Sequence, residues 1–318
     1  MRRYDILALG ELNADLLLNR IHGLPEVGKE KFADKMDLVM GSSTAIFAAN
    51  ASVLGAKVAF MGMIGKDAFG TVVKDSLRTK GVYVDHLIER RDIGTGLTVV
   101  MNYDNDRANV TYPGAMSDMG YGHIDFSVVK QSRHVHISSI FLQQNLLKDL
   151  YRIVTHIKEC GATVSIDTQW DPTEEWLFDW KRILPLTDVF MPNEKELMCL
   201  TGKNSVESAV DMLSPYSHNI VVKMGTAGSL LVQESGKRSV LPAFLNSEVV
   251  DAIGAGDSFN AGFVSAFVKG LPLAECQRVG NLMGAVNTTA AGGTGAFTSK
   301  EAVVRVAMER FSQELILR

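Results

Sequence analysis

The sequence predicts an α/β fold in which a doubly wound, mostly parallel sheet is flanked by helices and carries a small β-sheet lid. Three observations lead there. From Arg133 onward strand-like and helix-like stretches alternate, with strands at 135–138, 163–167 and 188–191 and a helix at 146–158, which argues for parallel strands joined by right-handed crossovers. Two further strand-like runs, 97–102 and 109–112, flank the turn-rich segment 103–107 and read as a hairpin. A small-residue turn at Gly254, Ala255 and Gly256 then runs straight into an apolar helix-patterned stretch that ends near Gly270. A chain of 318 residues suffices for one large α/β domain with a small appendage. The expected organisation is therefore a single domain, 1–318, with the lid formed by about 11–40 and 95–113.

The first strand is expected at 6–10 and continues through 11–18, with polar residues alternating at 11, 13 and 15. Period-two alternation puts Asn13 and Asp15 on one face, either the solvated side of an edge strand or the floor of a polar pocket. Residues 22–40, with Gly23, Pro25 and Gly28, read as a loop and a lid strand. Gly41 to Thr44 reads as a turn and helix N-cap, 45–54 as a helix stopped by Gly55, and 57–63 as a strand. The stretch from Gly62 to Gly70 is a strand-to-helix turn, with the helix running from Thr71 and ending before Gly81. The 97–112 hairpin adds to the first lid strands, and exposed edges of such a sheet pair readily with another copy, so a homodimer through the lid is expected.

In the parallel half, Ser138, Ser139, Asp167 and Gln169 fall at carboxyl ends of strands, where ligands of such sheets collect. His134 and His136 lie on the same side of one strand and read as structural residues rather than zinc ligands. Pro192 and Asn193 end a strand, and Glu194 and Glu196 enter the first turn of a helix. Carboxylates there complement the helix dipole; carboxylate and amide oxygens together also suit Mg2+, a hard cation usually held through retained waters. Strands at 220–223 and 229–232 bracket a turn containing Gly225 and Gly228, and Phe259, Phe263 and Phe267 form a core-facing stripe.

Composition narrows the function. Hydrophobic residues make up 46% and charged residues 21%, the net charge is -4, and no basic run appears, which argues against a nucleic-acid partner. The most hydrophobic stretch, 45–64, is interrupted by Asn50, Gly55, Lys57 and Gly62, so no membrane span is expected. The first residues pass directly into a strand without the pattern of a signal peptide, and cytoplasmic residence is the expectation. Cys160, Cys199 and Cys276 are widely spaced, odd in number and set in apolar surroundings; all three read as reduced core residues.

The chemistry concentrates at 251–263. The nearly bare backbone of Gly254, Ala255 and Gly256 can close on a phosphate at the positive end of the following helix. Asp257 would repel a resting phosphate, but it suits a site where a hydroxyl loses its proton while a phosphoryl group arrives. A dinucleotide fingerprint lacks its third glycine, since Phe259 stands there, and no Gly-x-x-x-x-Gly-Lys-Ser/Thr occurs anywhere.

The run from Asp251 through Gly254, Ala255, Gly256, Asp257, Asn260 and Gly262 to Phe263 resembles the C-terminal signature of the PfkB carbohydrate kinases, the ribokinase-like family. The resemblance implies that Asp257 activates a sugar hydroxyl, that Gly254, Ala255 and Gly256 form the anion hole, and that Asn13 and Asp15 bind the sugar. Gly41 and Ser42 stand where the family shows a Gly-Gly pair beside the sugar. Ile46 holds the place of a sugar-contacting asparagine, which removes a hydroxyl contact and adds apolar surface. Met116, after Gly114 and Ala115, replaces another asparagine. Asn193 and Glu196 match the motif that helps hold Mg2+. Gly225 and Gly228 match a turn bordering ATP, with Lys223 nearby. Asn281 and the 292–295 glycines match the adenine region, and a monovalent cation such as K+ lies near Asp251 in some members. The implied activity is ATP-dependent phosphorylation of a hydroxyl on a sugar or sugar-like small molecule; the alternatives are a nucleoside kinase of the same fold and a non-catalytic sugar-sensing protein.

Overall fold

A strand covered on both faces must be apolar on both, and β1 (Tyr4–Leu9) is: Ile6 and Ala8 face one layer of helices while Leu7 and Leu9 face the other. The computed structural model describes residues 2–103 and 107–315. After β1 come β2 (Asn13–Ile21), β3 (Ala33–Met40), α1 (Ser43–Val53), β4 (Val58–Met61), β5 (Met63–Gly65), α2 (Ala68–Thr79), β6 (Ile88–Arg90), β7 (Gly96–Asn102) and β8 (Arg107–Tyr112). The second half holds α3 (Phe126–Lys130), β9 (Ser132–Ile137), α4 (Gln144–Glu159), β10 (Thr163–Ile166), α5 (Trp180–Ile183), β11 (Val189–Phe190), α6 (Glu194–Thr201), α7 (Val206–Leu213) and β12 (Asn219–Lys223). β13 (Ser229–Gln233), β14 (Arg238–Leu241), α8 (Ala255–Phe267), α9 (Leu273–Asn287) and α10 (Lys300–Phe311) close the chain.

The central sheet has the order β14-β13-β12-β11-β10-β9-β1-β4. It is parallel from β4 to β12, and the antiparallel β13 and β14 complete one edge. On one face the core gathers Leu146, Leu150, Ile153 and Leu197; on the other it gathers Phe47, Phe263, Leu282 and Met283. His134 and His136 are wholly buried and share the hydroxyl of Ser165 at 2.7 Å each, and the His136 ring stacks on Phe47 with centroids 3.8 Å apart. Burial drives His134 down to about 4 and His136 well below its ordinary value, so both rings are neutral parts of the core.

The lid sheet has the order β3-β2-β7-β8. β2 and β7 are parallel, while β3 and β8 flank them antiparallel. The hairpin expected at 97–112 is present as β7 and β8; its turn, 104–106, lies outside the described residues. Register puts Asp15, Val39, Thr98 and Thr111 on the face toward the cavity, and Leu16, Leu38, Val99 and Val110 on the other.

Several expectations need correction. The strand expected from 6 to 18 breaks between β1 and β2, because the chain leaves the central sheet for the lid. Gly10 lies so close to the Thr44 side chain that any Cβ would collide with it. The strand expected at 57–63 divides at Gly62, and β5 pairs with β6 in a separate two-stranded sheet. α2 starts at Ala68, not Thr71, because the Asp67 carboxylate caps it, accepting from Gly70 N at 2.8 Å. Of the cysteines, all free, Cys276 is buried and Cys160 half-buried, but Cys199 is exposed and so is not a core residue. Among the described residues no helix is long and apolar enough to cross a membrane.

Phe263 is fully buried between α8 and the sheet. Phe263→Ala should lower the unfolding free energy by about 3–5 kcal/mol, read from urea denaturation; a loss below ~1 kcal/mol would mean that this face of the core is loosely packed.

Candidate active site

Gly254 is the left-handed N-cap of α8 (φ 75), and a Cβ there would sit 2.5 Å from Gly293 Cα. Only glycine combines that backbone angle with that approach. Ala255 N donates to Ala252 O at 3.2 Å, closing the turn, and no side chain caps the first turn of α8. The positive end of the helix therefore faces the site with Gly256 and Asp257 in its first turn.

Asp257 is 6% exposed, and its Oδ1 accepts from Gln169 Nε2 at 3.0 Å. Burial, reinforced by Asp167 and opposed by Lys223, pushes its carboxyl up to about 7; Glu11 raises it further and the Ser43 hydroxyl lowers it. Lys223, at the end of β12, places Nζ 2.7 Å from Oδ2 of the fully buried Asp167. Asn260 of α8 donates to the same oxygen and presents its own Oδ1 3.5 Å from the ammonium. A Cβ on Gly256 would lie 3.7 Å from Nζ, so the charge sits beside the first turn of α8. Burial opposes that charge, but Asp167, Glu196 and Asp257 outweigh it and hold the ammonium above its ordinary value.

Asn193 and Glu196 form a complete capping box on α6. Asn193 Oδ1 accepts from Glu196 N at 2.9 Å, Glu196 Oε2 accepts from Asn193 N at 2.9 Å, and Asn193 Nδ2 donates to Oε1 at 2.5 Å. Glu196 is 4% exposed; burial and Asp167 push it up to about 7 against the pull of Lys223. Among the described residues no group of three or more His, Cys, Asp or Glu side chains is placed to hold a metal ion.

Between lid and sheet lies a cavity of about 470 Å³ whose wall includes Asn13, Asp15, Ser42, Ser43, Ile46 and Asp251. Asn13 Nδ2 donates to Asp15 Oδ1 at 2.9 Å and to Thr98 Oγ1 at 3.0 Å. Burial pushes Asp15 up to about 6, against the effect of Asn13 and Arg107. Gly41 packs on the Asp15 carboxylate with no room for a Cβ. Ser42 adopts φ 71, unusual outside glycine. Its Oγ donates to Glu11 (2.7 Å to O, 3.0 Å to Oε1) and accepts from Ala45 N at 3.0 Å. Glu11 also accepts from the backbone and hydroxyl of Thr44. Ile46 fills the space over Gly254 and Gly293. Ser43 belongs to the cavity wall and also to the partners of Asp257, which connects cavity and acid.

Other expected site residues hold loops together. Asp251 accepts from Ile253 N and Gly292 N, both at 2.9 Å, and clamps the 251–253 turn to the 292–295 glycines. Gly228 (φ 97) abuts Leu241 O, and Asn281 Nδ2 donates to Leu241 O and Pro242 O at 3.3 and 3.2 Å. Gly228 and Asn281 thus converge on the exit of β14, with Gly225 (φ 56) three residues earlier in the same turn. Sequence reasoning assigned no role to Glu11, Ser43 or Asn260. Glu11 continues the period-two polar pattern of Asn13 and Asp15, and that was the signal available for it.

A mostly parallel, helix-flanked sheet with a smaller second sheet is the architecture of the ribokinase-fold kinases. The structure of Arabidopsis thaliana ribokinase complexed with ribose and ATP superposes with a TM-score of 0.81 at 24% identity, covering 96% of this chain and 98% of that one. The pattern of the pfkB family carbohydrate kinases matches residues 5–300, and the chain belongs to that family. An uncharacterized sugar kinase of Archaeoglobus fulgidus is 29% identical over 74% of this chain and 92% of its own length. A ribokinase of Haemophilus influenzae is 26% identical over 94% and 97%.

The raised carboxyl of Asp257 binds a proton more tightly folded than unfolded. Its contribution to stability is therefore fully present below about 4 and is lost as pH rises through about 7. Asp257→Asn should remove that loss. Denaturant titrations should show variant and wild type nearly equal at low pH, with the variant ahead at pH 8 by on the order of a few kcal/mol. Equal stability at both would mean that the carboxylate is not held in a desolvated place.

Proposed function

We propose that this carbohydrate kinase transfers the γ-phosphoryl group of ATP to a hydroxyl of a sugar or sugar-like molecule seated between lid and sheet, with Asp257 as general base. The observation that carries the reading is Asp257 itself, a buried acid in the first turn of an uncapped helix whose affinity for a proton lies near neutrality. A base works best when its pKa is close to the working pH. As the acceptor oxygen bonds to the γ-phosphorus, the bond to the β,γ-bridging oxygen breaks, ADP leaves with that electron pair, and the hydroxyl proton passes to Asp257.

The remaining residues fall into supporting roles. Gln169 occupies Oδ1 of Asp257, and the acceptor hydroxyl approaches the carboxylate from the cavity side, beside Ser43. Gly254, Ala255 and Gly256 supply the anion hole, and Lys223 adds a fixed positive charge beside it. Asn13 and Asp15 hold acceptor hydroxyls, with Gly41 and Ser42 shaping the adjoining wall. Gly225, Gly228 and Asn281 frame the nucleotide side. Asn193 and Glu196 fit a water-mediated Mg2+ site: Glu196 is a carboxyl whose charge burial disfavours, and an arriving cation would restore it. Mg2+ would neutralise charge on the transferring phosphates. At Asp251 a K+ ion would have to share the carboxylate with the two amides it already accepts.

The lid suggests a homodimer. Its outer face carries Leu16, Leu18, Met36, Val99, Met101, Val110 and Tyr112 in register, and Met36, Val110 and Tyr112 are 64%, 61% and 54% exposed. A sheet face this apolar fits a second copy of itself.

Two measurements test these readings. Asp257→Asn should lower kcat by roughly a hundredfold to ten-thousandfold with ATP affinity retained; ADP release near the wild-type rate would remove Asp257 from the role of base. Val110→Asp should halve the mass seen by light scattering. A wild-type protein that is monomeric at micromolar concentration would end the dimer proposal.

A further inference from the structure

The cavity between lid and sheet is enclosed by more negative than positive charge. Its cations among the described residues are Lys35 and Arg107, and each faces an acid: Lys35 Nζ lies 2.8 Å from Asp37 Oδ2, and the charge of Arg107 falls on Asp15. The two other acids of the wall, Glu11 and Asp251, are met by neutral donors only. A sugar phosphate or sugar acid entering here would face four acidic side chains of the wall against two cations that already lie near acids. A neutral polyol meets instead the amides of Asn13, Asn19, Asn102 and Asn109.

The cavity also does not end at the lid. Thr111, Met116 and Leu142 line it and equally line a second cavity of about 570 Å³. Ile93, Pro113, Phe141 and Pro172 make that chamber largely apolar, and Gln144 and Asn145 supply amides on its α4 side. Of the residues common to both cavities, Met116 and Leu142 give the passage an apolar wall. A free monosaccharide would leave the second chamber to water, although pockets of this kind enclose most of their ligand.

We propose that the acceptor is an uncharged sugar bearing an apolar or heteroaromatic substituent, as in a nucleoside or another glycoside. The sugar ring lies on Asn13 and Asp15, and the substituent extends past Met116 and Leu142 into the second chamber. This rests on the kinase reading above and narrows it to one class of acceptor.

The test follows ADP formation from ATP and Mg2+ with ribose, adenosine, uridine, fructose 6-phosphate and 2-dehydro-3-deoxygluconate as acceptors. Adenosine or uridine should exceed ribose in kcat/KM by about tenfold or more, and the two anionic sugars should be the poorest. Gln144→Trp, at an exposed position that lines the second chamber but not the first, should raise KM for the nucleoside by about tenfold and leave KM for ribose unchanged. Preference for an anionic sugar overturns the charge argument, and preference for ribose overturns the second chamber. If the Gln144→Trp substitution shifts both KM values equally, or neither, the chamber is overturned as well. ADP formation with none of the acceptors, in protein that still binds ATP, overturns the kinase reading itself.

Discussion

Everything at the carboxyl end of the sheet depends on one buried ion pair, Lys223 with Asp167. Three acids, Asp167, Glu196 and Asp257, gather around a single ammonium in a place where water is largely excluded. Burial first, and then the charge of Asp167 that the single ammonium does not offset, push Glu196 and Asp257 both up to about 7. A site in this balance responds to what arrives. A cation near Glu196 favours loss of its proton, and that loss in turn raises the demand for positive charge around the first turn of α8. The same ion pair fixes geometry, because Asp167 also accepts from Asn260 of α8 and so anchors the helix that carries Asp257 to the sheet. Removing either partner would leave an uncompensated buried charge, and that is more damaging than replacing the pair whole.

The lid answers a different constraint. A four-stranded sheet standing off the main body has two faces to satisfy, and strand alternation lets one sequence serve both. Odd-numbered residues of β2 carry Asn13, Asp15 and Asn19 toward the cavity, while Leu16 and Leu18 face the opposite way. At its base the apolar face is partly covered, since Leu38, Met40 and Leu97 pack against the core. Further out Met36 and Val110 remain open to solvent. The cavity face and the outer apolar face are thereby tied to a single register, and a slip of one residue would exchange them.

Much of this was legible because its causes are local. The alternation of strands and helices after Arg133, the small-residue turn at Gly254 and the capping residues of α6 all follow from backbone chemistry within a few positions. The errors have a common origin in distance. Period-two alternation runs unbroken across Gly10 to Leu12, so nothing local marks the point where the chain leaves one sheet for the other; the close approach of Thr44 from α1 marks it. The β5–β6 pair joins strands more than twenty residues apart with weak patterning. Cys199 sits in an apolar stretch yet on the exposed side of α6, because a helix of eight residues shows too little of its periodicity to assign a face. Gln169 was a strand-end candidate, but its hydrogen bond to Asp257 spans 88 residues and has no sequence signal.

The departures from the family pattern are explained by their neighbours. Ser42 occupies a left-handed conformation that glycine would enter without strain, and its hydroxyl offsets the difference by bonding both the backbone and carboxylate of Glu11 while capping α1. Glu11 in turn takes two bonds from Thr44, so the serine and the glutamate stabilise a single arrangement of the α1 start. Ile46 likewise has no hydroxyl to offer an acceptor, but it packs against Gly254 and Gly293, holding together the two glycine turns that Asp251 also clamps. Polar capacity at the start of α1 is therefore satisfied within the protein. On the reading proposed above, selection among acceptors falls to the amides of β2, β7 and β8 and to the space beyond Met116 rather than to the start of α1.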